Sequence, residues 1–449
     1  MIDCTQSHWN QIISAEARIH EIQYDDDVKN FLISICSDGP EDKLIDFNSI
    51  TCKKTQHLCF FAASMFCSNP STIHKIINAY QIDCHDTNSV GNNCLILACL
   101  RNTNLEIIEY LINELGIDLN HINKIGNDCL TSACWQNSNL EIIKYLINDL
   151  KMDPNHTNDN NDNCLSVACQ NNTNLDIIKY LINDLKMDTM CINNNGDNCL
   201  TLACWQNSNM EIIKYLINDL SMDQKHTDNN GNNCLMSACW GNTNLEIIKY
   251  LVNDLKMGTV HKNNDRNNCL TLACRENANL EIIKYLINDL KMDYGYTNND
   301  HDNCLTLACK NNTNPEIIKY LINDLKMDLS HTNANRRDCF TLACLNNKNM
   351  QIVTYLIEST NAMISFYCIE RWKKTIKSIS KKFTRFNEAL THGLKIFMKH
   401  KKIEIMDFLK TMNPLLLINI SQLPEYDLID PMDHKFKFND FMKYVDDLK

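Results

Sequence analysis

The chain has 449 residues and a net charge of −12, with 43 Lys and Arg against 55 Asp and Glu. This charge disfavours a nucleic-acid-binding protein that works through its whole surface, while only 10 Gly and 7 Pro exclude a collagenous or linker-rich chain and favour a helical one. No apolar run approaches the ~18 residues that span a bilayer, and the opening MIDCTQSHWN lacks the features of a signal peptide, so we expect a soluble cytoplasmic protein.

The first 55 residues show no repeat. Two segments within them, HWNQIISAEARIHEI and DVKNFLISIC, have the apolar spacing of amphipathic helices. We interpret residues 1–55 as a helical cap or a small extra domain. Residues 56–90 form a decayed repeat, because Cys59, Ala63 and Asp83 lie in register with the copies that follow.

Eight copies of a 35-residue repeat run without a gap from Gly91 to about residue 360. The copies that begin at Gly126 and Gly196 differ at only 9 of 35 positions. Two columns of cysteine mark the period: Cys94, Cys129, Cys164, Cys199, Cys234, Cys269, Cys304 and Cys339, and then Cys99, Cys134, Cys169, Cys204, Cys239, Cys274, Cys309 and Cys344.

Each copy contains two predicted helices. CLTSACWQ follows an Asn or Asp, whose side-chain oxygen caps a helix well, and NLEIIKYLINDL gathers its apolar residues on one broad helical face. A polar loop rich in Asn, Asp, Thr and His completes the copy. Because a unit of 35 residues is shorter than the ~40 residues needed to fold alone, the next copy must cover its apolar face. The pattern predicts a solenoid.

The repeat resembles the ankyrin repeat. In residues 228–257, DNNGNNCLMSACWGNTNLEIIKYLVNDLKM follows that family's Asp, Gly, Thr-Pro-Leu-His, paired Ala and Leu-Glu-Ile-Val pattern. The resemblance implies an all-α ankyrin-type solenoid over residues 56–360, with helical N- and C-terminal caps. Asn-Cys-Leu replaces Thr-Pro-Leu, and one extra residue in the turn between the helices and another after the second helix lengthen the family's 33 residues to 35. A tetratricopeptide array is the alternative fold, but its Trp/Gly/Tyr signature is absent.

The turn that opens each copy carries Gly in only half of the eight copies. Asn161, Arg266, His301 and Arg336 stand at the same position in the others. Since Gly adopts positive φ at no steric cost, we expect the tight hairpin of the family to be altered in these four copies.

The near-identical copies and the heavy use of Asn, Ile and Lys are also similar to the ankyrin-like repeat proteins of giant DNA viruses of amoebae, such as mimivirus. This resemblance is one of compositional style. It implies a viral protein that acts in the host cytoplasm.

The C-terminal part, residues 361–449, departs from the repeat. Residues 359–388 interrupt the pattern, KKIEIMDFLK lies in a degenerate closing repeat at about 387–413, and a Pro-containing tail follows. Residues 371–402 contain eleven Lys and Arg and one Glu, a net charge of +10, which leaves −22 on the rest of the chain. Such a segment contacts an acidic protein, RNA or an anionic membrane, or it is a solvated helical cap attracted to the acidic repeats.

The repeated Cys, His and Glu columns invite metal-binding or catalytic interpretations. Equivalent residues of stacked helices lie ~8–10 Å apart, which suits neither a disulfide nor a zinc site. We therefore expect reduced, buried cysteines as small core residues, histidines that form hydrogen bonds in the loop, and glutamates placed at helix N-termini by the dipole. The histidines are His121, His156, His226, His261 and His331, and the glutamates are Glu141, Glu211, Glu246 and Glu281.

No P-loop, dinucleotide fingerprint, nucleophile elbow, kinase motif or zinc-protease helix occurs in the chain. We predict a protein that is not an enzyme, with no catalytic residue, cofactor, metal or small-molecule substrate.

The position after the second Cys of each copy varies far more than the core columns do. In the ankyrin family this position ends the first helix and lines the concave binding face, which implies a partner protein here. The predicted contact residues in this column and the next are Trp135, Gln136, Trp205, Gln206, Trp240, Arg275 and Lys310. An alternative is that the three Trp cover gaps between repeats.

We therefore predict a scaffold or adaptor that binds an unidentified protein on the concave face. Two other function classes remain open. One is a structural or virion-associated assembly component, and the other is association with nucleic acid or membrane through residues 371–402.

Overall fold

A computed structural model describes residues 52–347 and 349–360. These residues form eighteen α-helices, six short π-helical segments and no β-strand, as the all-α repeat pattern predicts. The first helices of the copies are α1 Lys53–Phe66, α3 Cys94–Arg101, α5 Cys129–Gln136, α7 Cys164–Asn171, α9 Cys199–Gln206, α11 Cys234–Gly241, α13 Cys269–Glu276, α15 Cys304–Asn311 and α17 Cys339–Asn346. The second helices are α2 Pro70–Tyr80, α4 Leu105–Asn113, α6 Leu140–Lys144, α8 Leu175–Lys179, α10 Met210–Lys214, α12 Leu245–Lys249, α14 Leu280–Lys284, α16 Pro315–Lys319 and α18 Met350–Thr360.

The chain divides after Ser237 into two compact units. Within each unit, the first helices of consecutive copies pack side by side, and each packs against the second helix of its own copy. The core of a copy lies between these helices, where Leu130, Ile142, Ile143 and Leu146 are fully buried. The decayed copy belongs to the same core, because Cys59 is also completely buried.

In the eight 35-residue copies, local side chains fix the start of the first helix. Asn163 precedes α7 and accepts a hydrogen bond from the Ser166 backbone amide at 3.0 Å. Before α9, Asn198 and Thr201 form a reciprocal capping box, with both bonds at 2.9 Å. These caps satisfy amides that would otherwise lack a partner in the first turn, which confirms the predicted role of the Asn or Asp before each Cys.

An unusually wide turn follows six of the second helices: α6, α8, α10, α12, α14 and α16. After α6, residues Tyr145–Asp149 form a π-helical turn, and the amide of Leu150 donates to the carbonyl of Tyr145 at 3.1 Å. A π-turn holds more residues than an α-turn, so it accommodates the longer second half of this repeat. Lys151 then takes a left-handed conformation with φ 59° and ends the helix.

An asparagine, buried in all but the last case, follows the first helix of each of the eight 35-residue copies. Its hydrogen bonds join consecutive copies within each unit. The side-chain amide of Asn137 donates to the carbonyls of Cys99 and Asn102 in the preceding copy, at 2.8 and 2.7 Å, while its oxygen accepts from the Asn139 amide at 2.9 Å. Cys99 and Asn102 lie at the C-terminal end of α3, where helix carbonyls lack partners. The same bonds recur at Asn102, Asn172, Asn207, Asn277, Asn312 and Asn347.

The expectation that copies without a turn Gly have an altered hairpin is wrong. Asn161 donates its backbone amide to the Asn158 carbonyl at 2.9 Å, as Gly126 does to Asn123 at 3.1 Å. The φ angles are 80–83° at the four turn Gly and 57–62° at the four other residues, so all eight turns are left-handed. The non-Gly residues accept the left-handed conformation at a cost of roughly 1–2 kcal/mol each, because neighbouring copies hold the turn.

Candidate partner-binding surface

In the first unit, the predicted contact residues lie on the last turn of the first helices. Trp135 and Gln136 end α5, and Trp205 and Gln206 end α9; all are half-buried except Gln206, which is exposed. The side chains of neighbouring copies touch, because Gln170 Nε2 donates to Gln206 Oε1 at 3.1 Å. The variable columns of these two neighbouring copies are therefore in contact.

This surface contains polar atoms without partners. Trp135 Nε1 and Asn171 Nδ2 are buried and donate no hydrogen bond within the described residues. Arg101 stands in the same column as Asn171, and burial lowers the pKa of its guanidinium. A buried donor without an acceptor costs about 1–3 kcal/mol.

In the second unit, the predicted contact residues are Trp240, Arg275 and Lys310, and all three are half-buried. Arg275 Nε lies 3.4 Å from Glu276 Oε1 in an ion pair whose geometry is not that of a hydrogen bond. Asn311 Nδ2 donates to the same Glu276 oxygen at 3.2 Å. The variable columns of this unit thus carry a polar network that includes Glu276 and Asn311, two residues outside the predicted contact set.

Exposed apolar side chains in the loops are a second feature that sequence reasoning missed. In the first unit Ile122 and Ile125 flank a hairpin turn with 50% and 45% of their surface exposed, and Met190 reaches 66%. Other copies carry mostly Thr or Asn in the Ile122 and Ile125 columns. A comparison of the loop columns across the copies, like that made for the helical column, would have found them.

The His and Glu columns have the roles that their positions predict. The imidazole Nε2 of His156 lies 2.9 Å from the carbonyl of Gly126 in the preceding copy, and His121 makes the same contact with Gly91 at 2.7 Å. Glu141 lies in the first turn of α6 and pairs with Lys144 at 2.9 Å. Both columns stabilise the repeat itself.

The cysteine columns are buried as predicted, and thiols of different columns meet between copies. Cys99, in the second column, lies beside Cys129, in the first column of the next copy. Burial and this contact raise the pKa of Cys99 well above its usual range. The contact is diagonal, between the two columns and between copies, whereas the ~8–10 Å separation of stacked helices applies to equivalent positions. All ladder thiols among the described side chains are free.

One loop brings three potential metal donors together. The donor atoms of Asp83, Cys84 and His85 lie within 4.8 Å of one another. Asp83 Oδ1 accepts from the His85 backbone amide at 3.0 Å, in a turn that the corresponding residues Asp118 and Asp153 also form. The position of Asp83 therefore has a purely structural explanation.

The predicted N-terminal cap, the degenerate closing repeat and the basic segment 371–402 lie outside the described residues, except for the start of α1. Within the described part of the chain, no helix has the length and apolar character needed to cross a membrane.

A family model described as "Ankyrin repeats (3 copies)" matches the chain six times, over residues 60–158, 139–225, 165–265, 206–298, 240–332 and 270–365. The overlapping matches together span residues 60–365, which is more than half of the chain. A comparison with curated proteins finds no match.

Proposed function

We propose that this chain, which belongs to the ankyrin-repeat family, is a scaffold whose partner protein contacts the last turns of the first helices. Ankyrin repeats are in general protein–protein interaction modules. Binding, rather than catalysis, is therefore the function that these residues support best.

The unsatisfied donors on the first unit carry this proposal. Trp135 Nε1 and Asn171 Nδ2 are buried without acceptors, although the residues that carry them are only half-buried. Carbonyl or carboxylate oxygens of a partner would satisfy both donors, and Trp is enriched among residues that dominate binding energy. The Arg101 cation in the same column favours an acidic segment of the partner.

The proposal is tested by the single variants Trp135→Ala, Trp205→Ala and Trp240→Ala, with Tyr294→Ala as a control at an exposed loop aromatic. We expect each Trp variant to melt like the wild type and to lose about 2 kcal/mol or more of partner binding, which is roughly a 30-fold loss of affinity. Lowered melting temperatures with binding retained would show that the Trp side chains fill gaps between repeats.

Affinity capture with the wild type and these variants, followed by mass spectrometry, identifies the partner as the protein that the Trp variants lose. The compositional resemblance to giant-virus proteins suggests a viral protein in the host cytoplasm, so amoebal cells are the first source of partners to test. The alternative functions predict other results. An assembly component sediments as large oligomers, and an anionic ligand bound through residues 371–402 dissociates steeply with added salt.

A further inference from the structure

The loop after α2 carries three metal-donor side chains in succession. A carboxylate oxygen of Asp83, the thiol sulfur of Cys84 and an imidazole nitrogen of His85 all lie within 4.8 Å of one another. Asp83 and His85 are exposed and Cys84 is half-buried, so solvent reaches the cluster. The loop lies wholly within the first unit.

The fold of the repeat explains the backbone of this loop but not its side chains beyond Asp83. The carboxylate of Asp83 accepts from the His85 backbone amide at 3.0 Å and so forms the turn. The Cys94 thiol donates to the Cys84 carbonyl at 3.6 Å, and the same bond recurs in later copies with other residues supplying the carbonyl. The turn and this bond therefore need neither the thiol of Cys84 nor the imidazole of His85.

Cys84 and His85 are particular to this loop. In the next seven loops, the Cys84 position carries Leu, Pro, Thr, Gln, Thr, Tyr and Leu, and the His85 position carries Asn, Asn, Met, Lys, Val, Gly and Ser. Among the described residues, the Cys84 thiol and the His85 imidazole have no hydrogen-bond partner, so both are available to a cation. The expectation that the chain binds no metal rests on the repeated columns, and these two residues lie outside them.

We propose that Asp83, Cys84 and His85 bind one Zn(II) ion, with water as the fourth ligand of a tetrahedral site. Zinc accepts thiolate, imidazole and carboxylate together, whereas Ca(II) and Mg(II) prefer oxygen ligands and Cu(I) prefers sulfur. Bonds of ~2.0–2.3 Å to a tetrahedral ion place its ligand atoms ~3.3–3.8 Å apart, so the three donors need to approach one another by roughly 1–1.5 Å at most. Rotation of the exposed Asp83 and His85 side chains supplies this movement.

The charges of the three ligands suit a divalent cation. Binding replaces the thiol proton of Cys84, which passes to solvent, and the thiolate and the Asp83 carboxylate then neutralise the two charges of zinc. His85 binds as the neutral imidazole, and no group is oxidised or reduced. Because the loop is exposed, the ion enters without any opening of the core.

The test uses the reduced, metal-free full-length protein titrated with Co(II), which occupies tetrahedral zinc sites and absorbs in the ultraviolet when a thiolate is bound. We expect this thiolate band to appear in the wild type, to saturate, and to disappear when Zn(II) displaces Co(II). Cys84→Ser should bind one equivalent less and lose the corresponding amplitude. Cys191→Ser is the matched control, because Cys191 is also half-buried in a loop, 3.7 Å from the Asp188 carboxylate, but has no His next to it.

Two further variants remove the other ligands while keeping the fold. Asp83→Asn preserves the turn, since an amide oxygen accepts the same bond, and His85→Ala changes an exposed side chain. Each should weaken Zn(II) binding, measured against a coloured competing chelator, by about tenfold or more, since loss of a partner outside the ligand set already costs ~10–100-fold.

The proposal is overturned if the wild type shows no thiolate band, or if Cys84→Ser keeps the band in full. An equal loss of amplitude in Cys84→Ser and Cys191→Ser would also overturn it, because the binding would then not depend on the His85 cluster. Unchanged zinc affinity in both Asp83→Asn and His85→Ala would have the same meaning.

Discussion

The buried asparagine Asn172, which follows the first helix α7, is predicted to stabilise the array through its hydrogen bonds to the preceding copy. Asn172 is 2% exposed and makes three hydrogen bonds: it donates to the Cys134 and Asn137 carbonyls at 3.0 and 2.9 Å and accepts from the Asn174 amide at 2.9 Å. A net gain of ~1 kcal/mol per bond gives about 3 kcal/mol, and the carbonyls left unsatisfied raise the cost. We expect Asn172→Ala to destabilise the array by about 3–5 kcal/mol.

Urea unfolding followed by circular dichroism measures the effect, with Asn155→Ala as the control. Asn155 is exposed in a loop, so its substitution should change stability by less than ~0.5 kcal/mol. Because each copy contacts only its neighbours, amide hydrogen exchange should increase mainly in the copies on either side of Asn172. Equal urea midpoints for the two variants would refute the assignment of these bonds.

The variant Asn172→Asp separates the contribution of the two donated hydrogen bonds to stability from that of the accepted one. The carboxylate still accepts from Asn174 but faces two carbonyl oxygens, so its pKa in the folded protein should rise above the unfolded value. A group with a raised folded pKa favours folding at low pH and loses that contribution as the pH rises through the folded pKa. We therefore expect this variant to recover stability relative to the wild type between pH 7 and pH 4.

Three further predictions concern the repeat. Gly126→Ala should cost about 2 kcal/mol or more, because φ is +83° and a Cβ would lie 2.6 Å from the Asp159 amide nitrogen; an unchanged thermal melt would contradict this. Burial and the nearby Asp228 charge raise the pKa of Asp197, so this carboxyl opposes folding as the pH rises through that pKa. Asp228→Asn should therefore raise the melting temperature more at pH 7 than at pH 4. An equal gain at both pH values would argue against this. Deleting residues 161–195 should preserve helicity while deleting half that length should not, and equal loss in circular dichroism would exclude a modular array.

The sequence predicts the features that depend on local side chains. The period, the helices, the buried Ile and Leu columns and the Asn caps all follow from residues within one copy. The role of Asn137 was not predictable, because it depends on where the carbonyls of the preceding copy point. The Cys99–Cys129 contact was missed for a related reason: it joins different columns, and a spacing argument along one column cannot detect it. The turn at Asn161 shows that contacts between copies outweigh a local preference for glycine.

The asparagine bonds also give the array a direction. The side chain of Asn137 reaches back to cap the C-terminal carbonyls of α3, so the first helix of a copy is completed only by the copy that follows it. On a ribosome, the acceptor carbonyls emerge before the amide that binds them. A growing chain would therefore become ordered from its N-terminus, and each copy would become ordered only after the copy that follows it has left the exit tunnel. The last copy would depend on the sequence that follows it for the cap at the C-terminal end of its first helix.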